Sequence, residues 1–428
     1  MCYKIMILAI YLVLIISPLG SKAQVLTTFL RPLSLMLNRN GANVTQPYDT
    51  KPLILNFIGL VTRHGYPAEE HRVTTEDGYK LRIHRIPGSP KSLPAAGKPV
   101  VFLQHGLFSS SDIFVLHGPN RDLAFLLADN GYDVWIGNSR GNTYSRAHVR
   151  LFPDKDPEFW YFSFQEIALY DASATIDFIL YSTREKSLVF IGHSIGATVG
   201  LALLSTKPEY NNKVRLFVSL GPTAYWRRPK GVVRWLRTHG AGIKRAFVRA
   251  GRNEIFPQQA VGTFFDTMCG DESPFSSLCG FIVERVVTID SKVMNKTELA
   301  YVFSHFPAGA STRTLFHCYQ NLVSDYHDFS GKFQMYDYGE EENLKIYGQR
   351  AAPVFDLGHV TAPTVLIYGR ADIIATPEDT KELARNLPNV VLVDSVPSEK
   401  FNHLDFLLSA NAKSLLYDRI IKIVQQFS

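Results

Sequence analysis

Residues 187–200 read SLVFIGHSIGATVG. An apolar run, Leu188 to Ile191, ends abruptly in Gly192-His193-Ser194-Ile195-Gly196, and small residues follow without a helix breaker. The pattern predicts a strand, a sharp turn and a helix. At such a corner the flanking glycines remove Cβ clashes and the serine hydroxyl projects beyond the end of the sheet. The same corner aims the unpaired N–H groups of the helix N-terminus at the space beside Ser194, where a developing oxyanion would sit.

Outward from this stretch, strand and helix alternate. His71 to Ile86 (HRVTTEDGYKLRIHRI) alternates on both sides of Glu76-Asp77-Gly78, as a β-hairpin does. Val100 to Gln104, Val134 to Ile136 and Arg215 to Leu220 read as buried strands, and Asn120 to Asn130 as a helix. After Pro222 the rhythm stops, to return at Thr364 to Tyr368, Val390 to Val393 and a final amphipathic helix over Ala412 to Gln426. This predicts an α/β fold with a mainly parallel sheet, helices on both faces and a mainly helical insertion. The expected boundaries are a leader over 1–23, an arm over 24–60, the first part of the sheet domain over 61–222, the insertion over 223–352 and the second part over 353–428.

A serine hydroxyl is a weak nucleophile near neutral pH, so Ser194 requires an imidazole to take its proton and a carboxylate to orient that imidazole. In sheets of this type the order along the chain is serine, acid, histidine. The strand Thr364 to Tyr368 runs into Gly369-Arg370-Ala371-Asp372, and Phe401-Asn402-His403-Leu404-Asp405 follows the last strand. Asp372 and His403 are therefore the expected acid and base, with Asp405 and Asp379 as surface or helix-capping carboxylates. The two oxyanion donors are expected to be the backbone N–H groups of Ile195 and, in the His105-Gly106-Leu107 loop after the strand Val100 to Gln104, of Leu107.

The chain has 428 residues, 46% of them hydrophobic and 20% charged, an ordinary globular balance. A net charge of +6 is too small to imply a nucleic-acid partner. Lys4, the apolar run Ile5 to Ile16 and the small pair Ser21 and Ala23 read as a secretory leader cleaved after Ala23; the run is too short to cross a bilayer comfortably, and no later run reaches that length. Of the cysteines left after the leader, Cys269 and Cys279 are close in sequence and are the expected disulfide, which leaves Cys318 over. Sequons at Asn43 and Asn295 fit glycosylation on that route.

The runs GYPAEEHRVTTEDGYKLRIHRIP (65–87), VFLQHGL (101–107), DVWIGNSRGNTYSR (133–146), GHSIGAT (192–198), HFPAGAST (305–312) and FNHLDF (401–406) resemble the acid lipase family, which includes gastric and lysosomal acid lipases. The resemblance implies an α/β-hydrolase fold whose insertion is a helical cap with a mobile lid. It places nucleophile, acid and base on Ser194, Asp372 and His403, and the oxyanion donors on Leu107 and Ile195. Tyr144 stands where the family usually has tryptophan.

The expected activity is hydrolysis of carboxylic esters of neutral lipids, triacylglycerols or sterol esters, through an acyl-enzyme and with no metal or organic cofactor. The expected destination is outside the cell, or alternatively the lysosome. An esterase for small soluble esters and a catalytically silent lipid carrier on the same fold remain open at this point. Tyr225, Trp226, Trp235, Phe247 and Phe256 make the insertion aromatic, suited to its own core and to an acyl-chain pocket. Arg227 to Arg252 holds nine Lys or Arg and no Asp or Glu. It reads either as a solvated face or as a surface for an anionic lipid–water interface, with Val232, Val233, Trp235, Leu236, Ile243, Phe247 and Val248 inserting.

Overall fold

Buried strands occupy the middle of the sheet and alternating ones its margins. The computed structural model describes residues 54–258, 296–328 and 332–428. The leader, both sequons and the pair Cys269 and Cys279 lie outside the described residues. In chain order the strands are β1 (Glu69–Thr74), β2 (Lys80–Ile86), β3 (Val100–Gln104), β4 (Asp133–Ile136), β5 (Leu188–His193) and β6 (Val214–Leu220). A short antiparallel pair follows, β7 (Glu254–Ile255) and β8 (Ala310–Ser311), then β9 (Thr364–Tyr368) and β10 (Val390–Ser395).

Among the described residues the main sheet has eight strands in the order β1-β2-β4-β3-β5-β6-β9-β10. The β1–β2 hairpin and the β2–β4 pairing are antiparallel, and the remaining pairings are parallel. Every residue of β3, β4 and β5 is buried, which requires cover on both faces. The edge strand β10 instead alternates between half-buried and exposed positions. The helix Ile195–Thr206, which continues from β5 through Ser194, is buried from Ile195 to Ser205 and sits at the centre of the core.

Two features depart from the sequence reading. The arm was expected to run to residue 60, yet a helix spans Phe57–Thr62, capped by the Asn56 side chain and pinned where the Phe57 N–H donates to the Tyr144 hydroxyl at 2.8 Å. Six residues are too few for a helical period to be visible in sequence. The second departure lies in the insertion, whose described part contains the helices Gly231–Arg249, Lys296–His305, Thr312–Asp328 and Glu340–Tyr347. Val233, Trp235 and Phe247 of the basic stretch face inward and are buried, so they are not available to enter a lipid surface. Cys318, in the helix Thr312–Asp328, has no disulfide partner among the described residues, and burial pushes its thiol up to about 12.

Arg140 of the GNSRGN loop is buried and fully engaged. Its Nε donates to Asp171 at 2.7 Å, its Nη2 to Asp77 in the hairpin turn at 2.8 Å, and its guanidinium lies 3.9 Å from the centre of the Tyr79 ring. This ties the loop after β4 to the hairpin on one side and to the helical run before β5 on the other.

Several histidines are buried as well. Burial pushes the imidazoles of His84, His193 and His317 down to about 3, and that of His105 to about 4. His317 stacks on Phe164 with ring centroids 3.7 Å apart and bridges the Ser163 hydroxyl and the Gln334 carbonyl. Each such group is neutral in the folded protein but protonates near 6.5 when unfolded. Its contribution to stability is present above about 6.5 and is lost as pH falls toward the folded value, with a slope of about 1.4 kcal/mol per pH unit for each proton. Stability measured by urea unfolding is therefore expected to fall between pH 6.5 and pH 4, and His317→Gln should flatten that slope by about one proton's worth. An unchanged slope in that variant would show that His317 is charged in the folded state.

Candidate active site

Ser194 has φ 55 and ψ −122, outside the regions an L-residue prefers, and such backbone costs of the order of 1–3 kcal/mol. Close packing fixes it there. A Cβ on Gly192 would stand 2.5 Å from the Gly196 carbonyl oxygen, and one on Gly196 only 2.2 Å from that of Gln104. Both glycines are thus required for the chain to double back between β3 and the helix. The Ser194 N–H donates to the Leu220 carbonyl at the end of β6, which fixes the corner from the other side at 2.9 Å.

The strand ends bring three distant side chains together. His403 Nε2 lies 2.7 Å from Ser194 Oγ, and His403 Nδ1 lies 2.8 Å from Asp372 Oδ2. All three residues are buried. The other Asp372 oxygen, Oδ1, accepts the N–H groups of Ile374 and Ala375, each at 2.8 Å, so the carboxylate is held by its own loop. The Ala371 N–H donates to the Phe401 carbonyl at 3.0 Å and joins the loop after β9 to the loop that carries His403. With the carboxylate accepting the Nδ1 proton, Nε2 is left unprotonated toward the hydroxyl, which suits it to remove that proton.

The His105-Gly106-Leu107 loop passes directly beside the nucleophile, and a Cβ on Gly106 would stand 3.0 Å from Ser194 Cβ. Neither the Leu107 nor the Ile195 backbone N–H has an acceptor among the described residues. Two unused donors beside a buried hydroxyl are the arrangement that acyl transfer calls for.

A family model described as "Partial alpha/beta-hydrolase lipase region" matches residues 57–118, and one described as "alpha/beta hydrolase fold" matches residues 99–268. Gastric triacylglycerol lipase of Homo sapiens is 37% identical over 374 residues, 87% of this chain and 91% of that protein. The chain belongs to the lipase family that includes gastric triacylglycerol lipase. Another relative, Lipase 3 of Drosophila melanogaster, is 39% identical over 368 residues, 85% of this chain and 91% of its own. Among solved structures, a soluble variant of monoglyceride lipase from Saccharomyces cerevisiae, in complex with a substrate analog, shares the fold. Its TM-score is 0.52 at 14% identity, covering 90% of this chain and 99% of that one.

Within this lipase-family site, two histidines have parts that sequence reading missed. His193 Nε2 lies 3.0 Å from the His403 carbonyl oxygen and restrains the backbone of that residue. His105 bridges two loops: Nδ1 donates to the Gly106 carbonyl at 2.8 Å, and Nε2 accepts the Ser139 N–H at 3.1 Å. Their immediate neighbours, Ser194 and Gly106, were the available signal. What each ring would reach was not, because the partners lie 210 and 34 residues away.

Asp405 serves its own loop, its carboxylate accepting the Asn402 N–H at 2.7 Å. Asp372→Asn is expected to lower kcat on a soluble ester by about 10⁴-fold with the fold retained, and Asp405→Asn by about tenfold or less. Rates normalised to active sites titrated with a fluorophosphonate check this, and a reversed order would reassign the acid.

Proposed function

We propose that the chain is a serine lipase of the secretory pathway that hydrolyses carboxylic esters of neutral lipids through an acyl-enzyme. The observation that carries the reading is His403, poised within hydrogen-bond reach of Ser194 on one side and of Asp372 on the other. In the proposed reaction Ser194 Oγ attacks the ester carbonyl carbon while its proton passes to His403 Nε2. Asp372 stabilises the resulting imidazolium and keeps the ring oriented. The Leu107 and Ile195 N–H groups receive the oxyanion. Collapse of the tetrahedral species expels the alcohol, which takes the proton from His403; water then repeats the sequence on the acyl-serine and releases the fatty acid. The same donors and acceptor serve both halves, so no further group is required to balance the protons.

A neutral lipid is favoured as substrate by kinship with gastric triacylglycerol lipase across most of the chain and by the large insertion beside the site. Export, or delivery to the lysosome, is the destination that the leader supports. Among the described residues no helix is long and apolar enough to cross a membrane.

The basic stretch supports an encounter with an anionic lipid surface in a narrower form than sequence suggested. Arg227 pairs with Glu382 at 3.1 Å and Lys230 with Glu378 at 3.5 Å, while Arg237 donates to the carbonyls of Leu322 and Trp226. The exposed face of the helix Gly231–Arg249 presents Arg234, Arg245 and Arg249 beside the exposed Val248. These cations, with no ion pair among the described residues, are the ones available to anionic headgroups or to fatty-acid product.

Ser194→Ala should lower kcat by about 10⁴-fold or more and abolish fluorophosphonate labelling without unfolding the chain. Ordinary turnover in that variant would sink the reading. Higher rates on emulsified than on monomeric esters of equal chain length are expected of a lipase, and the reverse of a soluble esterase. For the surface, binding to vesicles containing anionic lipid should exceed binding to neutral ones, weaken with salt and be lost on changing Arg234, Arg245 and Arg249 to Gln. Equal binding to both vesicle types by the unmodified protein leaves these arginines as a solvated face.

A further inference from the structure

The loop that holds Leu107 contains a strained neighbour. Phe108 has φ 63, in the left-handed region, where a bulky aromatic residue is an outlier that persists only if its surroundings hold it. Those surroundings come from the insertion. The Ala308 N–H donates to the Phe108 carbonyl at 2.6 Å, and the Phe256 ring meets the Phe108 ring edge-on with centroids 5.0 Å apart. The Ala308 carbonyl in turn accepts the Thr143 N–H at 2.9 Å, so this one residue of the insertion bridges two loops of the sheet domain.

Three residues earlier the insertion grips the far end of the same loop. His305 Nδ1 lies 3.1 Å from Asp112 Oδ2, with both side chains buried. The other oxygen of Asp112 accepts the Tyr144 hydroxyl at 2.8 Å. One carboxylate is thus shared between the sheet domain, through Tyr144, and the insertion, through His305. Taking away one partner leaves a buried carboxylate under-satisfied, and the short helical turn Ser111–Phe114 that carries it must then shift or admit water.

We propose that the segment His305 to Ala308 clamps the oxyanion loop at Phe108 and Asp112, and that His305 is a positioning residue for the Leu107 donor. This rests on the reading of Leu107 as an oxyanion donor. An oxyanion donor is useful only if it is already in place when charge develops on the ester oxygen, so sub-ångström loosening of the loop is felt in the transition state more than in the bound ester. Strain at Phe108 makes the loop prone to relax, and the two contacts from His305 and Ala308 oppose that relaxation at either end. The imidazole acts through Asp112 and the loop and touches no reacting atom.

The test compares a short-chain p-nitrophenyl ester with its thionoester, in which sulfur replaces the carbonyl oxygen. Donors spaced for an oxyanion serve the larger, more weakly accepting sulfur poorly, so the thionoester reports turnover with most of that contribution missing. The unmodified protein should turn over the ester at least about 100-fold faster than the thionoester. With rates normalised to sites titrated to completion by a fluorophosphonate, His305→Phe should lower kcat on the ester roughly tenfold, leave KM within about twofold and leave the thionoester rate nearly unchanged. His305→Asn, whose amide nitrogen can stand near the position of Nδ1, should recover most of the loss. Equal losses on both substrates, or an unchanged kcat per titrated site in His305→Phe, would overturn the proposal. If His305→Phe does not fold, Tyr144→Phe, which loosens Asp112 from its other side, should give a smaller loss confined to the ester, and a loss shared by both substrates there overturns the proposal equally. Failure of the unmodified protein to discriminate ester from thionoester would remove the oxyanion reading itself, an outcome distinct from an unaffected His305→Phe.

Discussion

The tight turn at Ser194 is the constraint on which the rest depends. The chain must leave β5, reverse at a residue with positive φ and enter a helix that packs against the backbone of Gln104 with no room for a Cβ at Gly196. Such a corner is unstable on its own, and the buried helix Ile195–Thr206 together with the buried strands β3 and β5 and the largely buried β6 supplies the packing that holds it. Everything chemical then follows from where neighbouring strands end. β9 delivers Asp372, the loop after β10 delivers His403, and β3 delivers Leu107, all at the carboxyl edge of one sheet.

The sheet was legible because its signal is local. Parallel strands buried on both faces appear as short apolar runs, and β3 and β9 have the limits those runs predict, while β4, β5 and β6 are extended by one or two residues. Ser194, Asp372 and His403 could be singled out because each follows such a run and because strand order restricts which acid and histidine can meet. The short helix Phe57–Thr62 was not visible, since its stability comes from the contact with Tyr144 rather than from its own periodicity. Nor were the inward-facing residues of the basic helix, because a charged stretch with interleaved apolar residues has the same pattern whether it covers a neighbour or a lipid. The pairings of His193 with His403, His305 with Asp112 and Arg140 with Asp77 and Asp171 are also non-local. Sequence shows that such groups exist and not whom they meet.

The buried polar groups divide into two kinds that lose their contribution to acid at different pH. Burial alone would raise the Asp77 carboxyl, but the hydrogen bonds and charge of Arg140 hold it below the usual range. Its contribution therefore stays complete down to about pH 4, its value when unfolded, and is lost only as pH falls through the lower folded value. The neutral histidines begin to lose their contribution near 6.5. The hairpin turn and the GNSRGN loop are consequently fastened by contacts that outlast the histidine contribution as the medium is acidified.

The insertion leaves the sheet after β6 and rejoins it before β9, and these two strands are neighbours paired in parallel from Phe217 with Thr364. Its two ends are thus anchored on adjacent strands, and closing the chain costs little more for a long insertion than for a short one. Natural variation can therefore exchange this segment while the sheet keeps its register. The freedom is unequal along its length. Residues 305 to 311 carry Ala308, which pairs with the backbone of two core loops, and Ser311, whose hydroxyl donates to the Trp160 carbonyl at 2.6 Å. A chimaera built by grafting a foreign insertion must carry this short tract across unchanged, because the core loops beside Ser194 recognise it through its backbone.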